Sequence, residues 1–426
     1  MKNIIILFTM MFLSVSTASL GRAVETAPQE NLSSLISFAL ANNPEIKASA
    51  ARWQMFSSRI AMARSLEDPM LMLKIQNGVV TEPFNFRKEA MTAKVIGITQ
   101  QIPYWGKREL KEEIAKMDAE SYRWTVEERK LELTRMVKET WYQLFYIDKS
   151  LAIIDKNIRI LDDFVTLAEI KYSVSQGTQT DILKAQVQRS RMLDMRITLE
   201  QQRKTSQANL NTVLFRSPET PVGNIDDFVI TPVSHSANDL QQMAYDNRPM
   251  FKSLEALVRK GEAGLKLSEK EFYPDFNISL EYMQRDPAMG NEGLDMYSLG
   301  VTFNLPVQRE KRHAAVAESN AGIAMATEEL NNLKSSINFG VSDQLAQLER
   351  RRKLVELYKG GIILQAEQSL ESTVINYRVN KVDFLTLLDS QMTLFNYERE
   401  LYESQAEYMM QLARLEALVG VELAGK

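Results

Sequence analysis

Side chains able to do covalent or metal chemistry are few in this chain. Cysteine is absent, and there are only two histidines, His235 and His313. Disulfides, thiolate metal sites and cysteine nucleophiles are therefore excluded, and most hydrolytic or zinc chemistry lacks its usual residues. His235 falls in a Pro- and Asp-rich stretch and His313 near a helix start, both solvated settings. Carboxylate pairs such as Glu112-Glu113 lie on exposed helix faces, where they serve solvation and ion pairing. No Gly-rich phosphate loop or nucleophile motif occurs, so neither an enzyme nor a metal or cofactor site is expected. Methionine is abundant at 21. Thioethers can pass soft ions such as Cu(I) or Ag(I), but methionines scattered through helices read as gap-fillers.

What remains is electrostatics and shape. The 426 residues carry 51 Lys+Arg against 55 Asp+Glu, a net charge of −4, which argues against nucleic acid as a partner. A hydrophobic content of 45% with 25% charged residues is that of a folded chain. Only 17 glycines and 12 prolines imply long uninterrupted helices.

Lys2, an apolar run over 4–15 and small residues Ser16 to Ser19 predict a secretory signal peptide, residues 1–23, cleaved after Ala18 or Ala23. The run is shorter than the roughly 20 residues of a membrane-spanning helix, and no later stretch is apolar enough to be one. Any membrane crossing must then be made by strands.

The chain says nearly the same thing twice. Ala39-Leu40-Ala41-Asn42-Asn43-Pro44 returns as Ala244-Tyr245-Asp246-Asn247-Arg248-Pro249, and Pro69 as Pro274. Gly97 to Pro103 returns as Gly300 to Pro306, and Tyr172, Leu183 and Gln186 as Tyr377, Leu388 and Gln391. Anchors in one order at an offset of about 205 residues indicate a tandem duplication. The first repeat is 24–236, ending in a polar join at 215–236, and the second is 237–426.

Each half reads as a helix, two strands, one very long helix, a tight turn and a shorter helix. The expected helices are 33–67, 107–172 and 178–214, then 237–271, 307–377 and 381–419. Val137, Leu144, Leu151, Ile158 and Val165 form one heptad track and Thr140, Ile147, Ile154, Leu161 and Ala168 the other. Leu387, Leu394, Leu401, Tyr408 and Leu415, flanked by Leu388, Phe395, Tyr402 and Met409, make a stripe wide enough for two neighbours. At 1.5 Å per residue the long helices span on the order of 100 Å, so an elongated tube or rod is expected.

Between them lie hairpins at about 69–102 and 274–305. Phe276, Ile278, Leu280 and Tyr282 alternate with polar residues, as do Tyr297, Leu299, Val301 and Phe303. Period-two alternation over about ten residues marks strands with one apolar, lipid-facing side and one wet side, long enough to cross a bilayer. The alternative is an ordinary amphipathic hairpin on a soluble core. Four strands cannot close a barrel, and open edges are forbidden in lipid. Three copies would supply about twelve.

This layout resembles the TolC family of outer-membrane channel proteins, the exit ducts of tripartite efflux and type I secretion systems. Leu32 to Pro44 resembles the family's opening helix. Gln101-Ile102-Pro103-Tyr104-Trp105-Gly106-Lys107-Arg108 resembles its strand-to-helix junction, closest to the heavy-metal, CzcC-like branch. Tyr377 through Asp389 to Gln391 resembles the turn at the periplasmic tip. The resemblance implies a mainly α fold with a small transmembrane β part: a homotrimer with an α-barrel across the periplasm and a shared 12-stranded β-barrel in the outer membrane of a Gram-negative-type cell. It also implies docking to a periplasmic adaptor (membrane fusion protein) and an inner-membrane pump, RND-type or other.

By the same resemblance, an acidic ring narrows the entrance. Asp389 falls on one ring site and Thr386 on its neighbour, while in the first repeat Asp181 is acidic and Lys184 matches Asp389. Tyr172 and Tyr377 accompany them. The helix-tip turns hold Ser175, Gly177 and Asn380, with Ser175 and Asn380 at the family's turn glycine. Three carboxylates on a threefold axis attract cations; the alternative for Asp389 is an exposed helix carboxylate. Gly360-Gly361 is either a helix bend that lets the tip open or a point of close helix contact. Exit duct for solutes, heavy-metal ions among them, is the function expected. The alternatives are a type I secretion duct and a soluble periplasmic coiled-coil adaptor or scaffold.

Overall fold

The computed structural model describes residues 31–423. The expected signal peptide, residues 1–23, lies outside the described residues. The first half forms α1 (Leu32–Asn42), α2 (Pro44–Arg64), β1 (Met70–Gln76), β2 (Ala93–Ile102), α3 (Lys107–Ser173) and α4 (Gln179–Val213). The second forms α5 (Ala237–Asn247), α6 (Pro249–Lys270), β3 (Phe276–Arg285), β4 (Met296–Phe303), α7 (Arg309–Leu357), a π-helical turn (Tyr358–Ile362), α8 (Ile363–Arg378) and α9 (Phe384–Val419).

Three expected helices are divided. Proline lacks an N–H and pushes the residue before it out of the helical region. Asn43 therefore takes extended backbone (φ −61°, ψ 125°), and its side chain accepts the Glu45 N–H at 2.8 Å to start α2. Arg248 before Pro249 repeats the break. The third division is the π turn, where Gly360 and Gly361 sit.

The 67-residue α3 is the spine, about 100 Å long, and packs against α2, α4, α6 and α9. Its seam departs from the two expected tracks. Val137, Leu144, Ile147, Ile154, Leu161 and Ala168 are buried, whereas Leu151, Ile158 and Val165 are only half-buried. A straight helix turns every 3.6 residues, not 3.5, so one track drifts outward and others replace it. Asn157 and Phe164 are the replacements. Asn157 is bonded across the seam to Gln391 Nε2 at 2.5 Å. The wide stripe of α9 divides between α3 on one side and α7 and α8 on the other.

The strands form one antiparallel sheet in the order β1-β2-β3-β4. Within it β2 and β3 join the two halves, pairing Gly97 with Glu281 and Ile98 with Leu280. Among the described residues no helix is long and apolar enough to cross a membrane.

Candidate functional site

Cross-strand register turns the alternation of single strands into a continuous surface. Leu71, Ile98, Leu280 and Leu299 lie in one row across all four strands, and Leu73, Ile96, Tyr282 and Tyr297 in the next. All eight side chains are exposed, as are Ile278, Val301 and Phe303. Phe276 differs: it is half-buried at the foot of the sheet, edge-on to Trp105 at 5.4 Å and near Phe303. The other face is mixed, with Ser279, Glu281, Thr99, Ser298 and Thr302 around Gly97 and Gly300 and with Met72, Val95, Met283 and Met296 among them. Lys74 on β1 reaches Glu281 at 3.1 Å along this wet face. An apolar sheet face this large, left uncovered, suits lipid rather than water.

The far ends of the helices carry the second set of sequence-predicted residues. Both hairpin turns close in the same way: the Gln176 N–H donates to Lys171 O at 2.8 Å, and the Lys381 N–H to Asn376 O at 2.9 Å. That closure needs one left-handed residue, and Ser175 (φ 59°) and Asn380 (φ 62°) supply it. Gly177 is used for closeness instead, since a Cβ there would lie 3.1 Å from Lys171 Cβ.

Beyond each turn the capping residues are exchanged between the halves. Thr178 caps α4 and Asp181 returns the bond to its N–H, a complete capping box. In the second half Asp383 caps α9, accepting the Thr386 N–H at 2.8 Å and its hydroxyl at 2.6 Å. The Thr386 hydroxyl, then its N–H, with Lys184 adding a smaller attraction, hold the Asp383 carboxyl below its usual range. Asp181 and Thr386 are thus occupied as helix caps. Tyr172 is exposed, whereas Tyr377 is 5% exposed, packed on Phe384 and pushed up to about 12 by burial, with Asp181 adding to the shift. Lys171, which sequence inspection missed, is buried; its ammonium donates to Asn380 Oδ1 and lies 4.9 Å from the Tyr377 ring centre. Lys184 and Asp389 line one groove of about 420 Å³ between α4 and α9, floored by Leu183, Val187, Leu385 and Leu388.

An open apolar sheet at one end of 100 Å-class helices and paired tips at the other narrow the comparison with known proteins. The outer membrane efflux protein family matches residues 35–214 and 240–421. This chain belongs to that family. It is 22% identical over 279 residues to the outer membrane efflux protein BepC of Brucella suis, covering 63% of this chain and 59% of that one. It is 26% identical over 174 residues to the cobalt-zinc-cadmium resistance protein CzcC of Cupriavidus metallidurans, covering 41% and 39%. The chain thus spans 59% and 39% of the lengths of these relatives. The outer membrane protein VceC of Vibrio cholerae has the same fold, with a TM-score of 0.77 at 16% identity over 92% of this chain and 96% of that one.

In this efflux-family chain further features lie between the two ends. Lys107, the first residue of α3, is 1% exposed. Its ammonium contacts Asp275 at 2.9 Å, Glu271 at 3.3 Å and the Tyr273 carbonyl at 3.2 Å, all from the other half. Asp275 also accepts the Tyr104 N–H at 2.8 Å, and Tyr104 stacks on Tyr273. A lysine at a helix N-terminus opposes the helix dipole, and that local conflict was the signal for a partner elsewhere. A Cβ at Gly360 or Gly361 would meet nothing within 4 Å, so close helix contact within the chain is not their role. Beside them the Tyr358 hydroxyl donates to Glu400 at 2.7 Å. The methionines are not confined to helices: Met70, Met72, Met283 and Met296 stand on the strands.

Proposed function

We propose that this chain is an outer-membrane exit duct for efflux, a passive water-filled conduit driven by a partner pump. The observation that carries it is the exposed apolar row across four strands whose outer edges, β1 and β4, have no strand beside them among the described residues. Such edges are not tolerated in lipid, and with four strands per chain each copy can pair antiparallel with the next. Three copies would close a barrel of about twelve strands.

The helices support the same assembly. Leu388 on α9 is buried with Leu161 and Phe164 of α3, yet its match Leu183 on α4 is exposed. Ser369 on α8 is exposed where its match Phe164 is buried. A neighbouring copy laid head-to-tail would cover α4 with α8 as α9 covers α3 here, and such contacts close into rings.

Export through a signal peptide at 1–23 and two repeats at 24–236 and 237–426 complete the design, along with docking to a periplasmic adaptor and an inner-membrane pump. The helix tips are the entrance, with Asp389 and Lys184 at its rim and the Gly360-Gly361 turn as the bend that lets it widen. Heavy-metal ions are the proposed cargo, on the strength of the CzcC likeness and the Pro103-to-Arg108 junction.

The test is the mass of detergent-extracted protein from the outer-membrane fraction, by light scattering with detergent subtracted. A particle of three chains is expected; a monomer in the soluble fraction would refute the duct. Leu280→Asp with Val301→Asp should abolish membrane assembly, while Ser279→Asp on the wet face should not.

A further inference from the structure

We propose, resting on the trimeric-duct reading above, that Lys184 and Asp389 alternate around the entrance as a charge-compensated ring, and that Lys184 thereby sets the ion preference of the duct. The two residues hold the same place in the two halves: Lys184 is the sixth residue of α4, which begins at Gln179, and Asp389 the sixth of α9, which begins at Phe384. Both are exposed and both face the groove between these helices. Lys184 lies near enough to the start of α9 to help lower the Asp383 carboxyl there.

Some neighbouring charges on these helices are paired inside the chain. Arg189 pairs with Asp162 at 2.5 Å, Arg196 with Asp155 at 3.1 Å, and Glu398 with Lys156 at 2.6 Å. Among the described residues Lys184 and Asp389 have no ion pair of their own.

In a ring of three copies the α4 and α9 tips alternate, so each Asp389 stands between Lys184 of its own chain and Lys184 of the next copy. A ring of one sign concentrates counter-ions and selects among permeants. Alternating signs cancel within roughly a Debye length, about 8 Å at physiological salt. Arg191 in the same groove adds a further positive charge. The entrance of this duct is therefore not cation-selective, and the carboxylates of Asp389 act as partners to Lys184 in place of a free acidic ring.

The experiment is the reversal potential of the purified full-length protein in planar bilayers under a potassium chloride gradient. Wild type should show no preference for cations. Lys184→Asp should become several-fold cation-selective, Asp389→Lys several-fold anion-selective, and the double exchange K184D/D389K should return to wild type. Lys184→Gln, which keeps size and removes charge, should fall between wild type and Lys184→Asp. Open pores whose selectivity ignores these exchanges would overturn the paired ring and leave the duct standing. A wild type that forms no pore would overturn both.

Discussion

The two halves contain the same elements in the same order, yet their long helices are built differently. α3 is unbroken over 67 residues, whereas its counterpart is α7, a π turn and α8. Tyr377 lies two residues further from Pro306 than Tyr172 lies from Pro103, and a π turn is how a helix absorbs an inserted residue without ending. Their starts differ too. α3 begins on the buried, doubly paired Lys107, while α7 begins on exposed Arg309 and Glu310 without a side-chain cap. One long helix is anchored at its start, as a spine is; the other is interrupted and starts without such an anchor. The two halves share their order of elements and differ in how their long helices start and continue.

Removing the anchor should have the largest effect. Lys107→Ala leaves the mostly buried Asp275 without its cation while the half-exposed Glu271 stays in water, and the loss should be about 3 kcal/mol, the low end for broken buried pairs. Thermal unfolding followed by circular dichroism would read it, with Arg309→Ala on α7 expected to change little.

The matched leucines come next. Leu388→Ala should destabilise the chain by about 2–5 kcal/mol, the range for buried leucines. Leu183→Ala should leave helicity intact and loosen the oligomer, seen as loss of the three-chain particle. Equal effects of the two would erase the distinction between covered and uncovered faces.

Straightening the interrupted helix should pull stability and function apart. Gly360→Ala with Gly361→Ala meets no steric obstacle within the chain, and alanine favours helix by up to about 1 kcal/mol per site. The variant should melt higher and conduct less. Unchanged conductance would remove the π turn from any part in opening.

The tyrosine beside that turn gives a pH signature. Burial first, then the bond to Glu400, pushes Tyr358 up to about 12, and burial does the same for Tyr377. A raised tyrosine favours the neutral form in the folded state. Its contribution is therefore present in full below about pH 10 and lost as pH rises toward about 12. Ultraviolet phenolate titration should show these groups ionising late, and Tyr358→Phe should remove one of them at a stability cost of about 1 kcal/mol.

The smallest effect separates the two tips. Ser175→Gly relieves a left-handed serine and should stabilise by up to about 1 kcal/mol. Asn380→Gly relieves less strain and forfeits the bond from Lys171, so it should not stabilise. Differential melting of the two variants would decide.

The local grammar of this chain was written in its sequence. Periods of 3.6 and 2 follow from backbone hydrogen bonding within a few residues, so helices and strands could be located, and the recurring Asn-X-Pro and Gly-to-Pro stretches pointed to a duplication. The proline breaks at Asn43 and Arg248 were overlooked in the expected helices 33–67 and 237–271, although proline acts on its immediate neighbour and the signal was local. The tertiary structure alone decided which of two matched side chains is covered. Leu183 and Leu388 occupy corresponding places in the repeats, but α3 arrives only against Leu388. It likewise set Asn157 against Gln391, Lys171 against Asn380 and Lys107 against Asp275, contacts between residues far apart in the chain. Burial depends on which neighbour is brought near, and no window of a few residues holds that information.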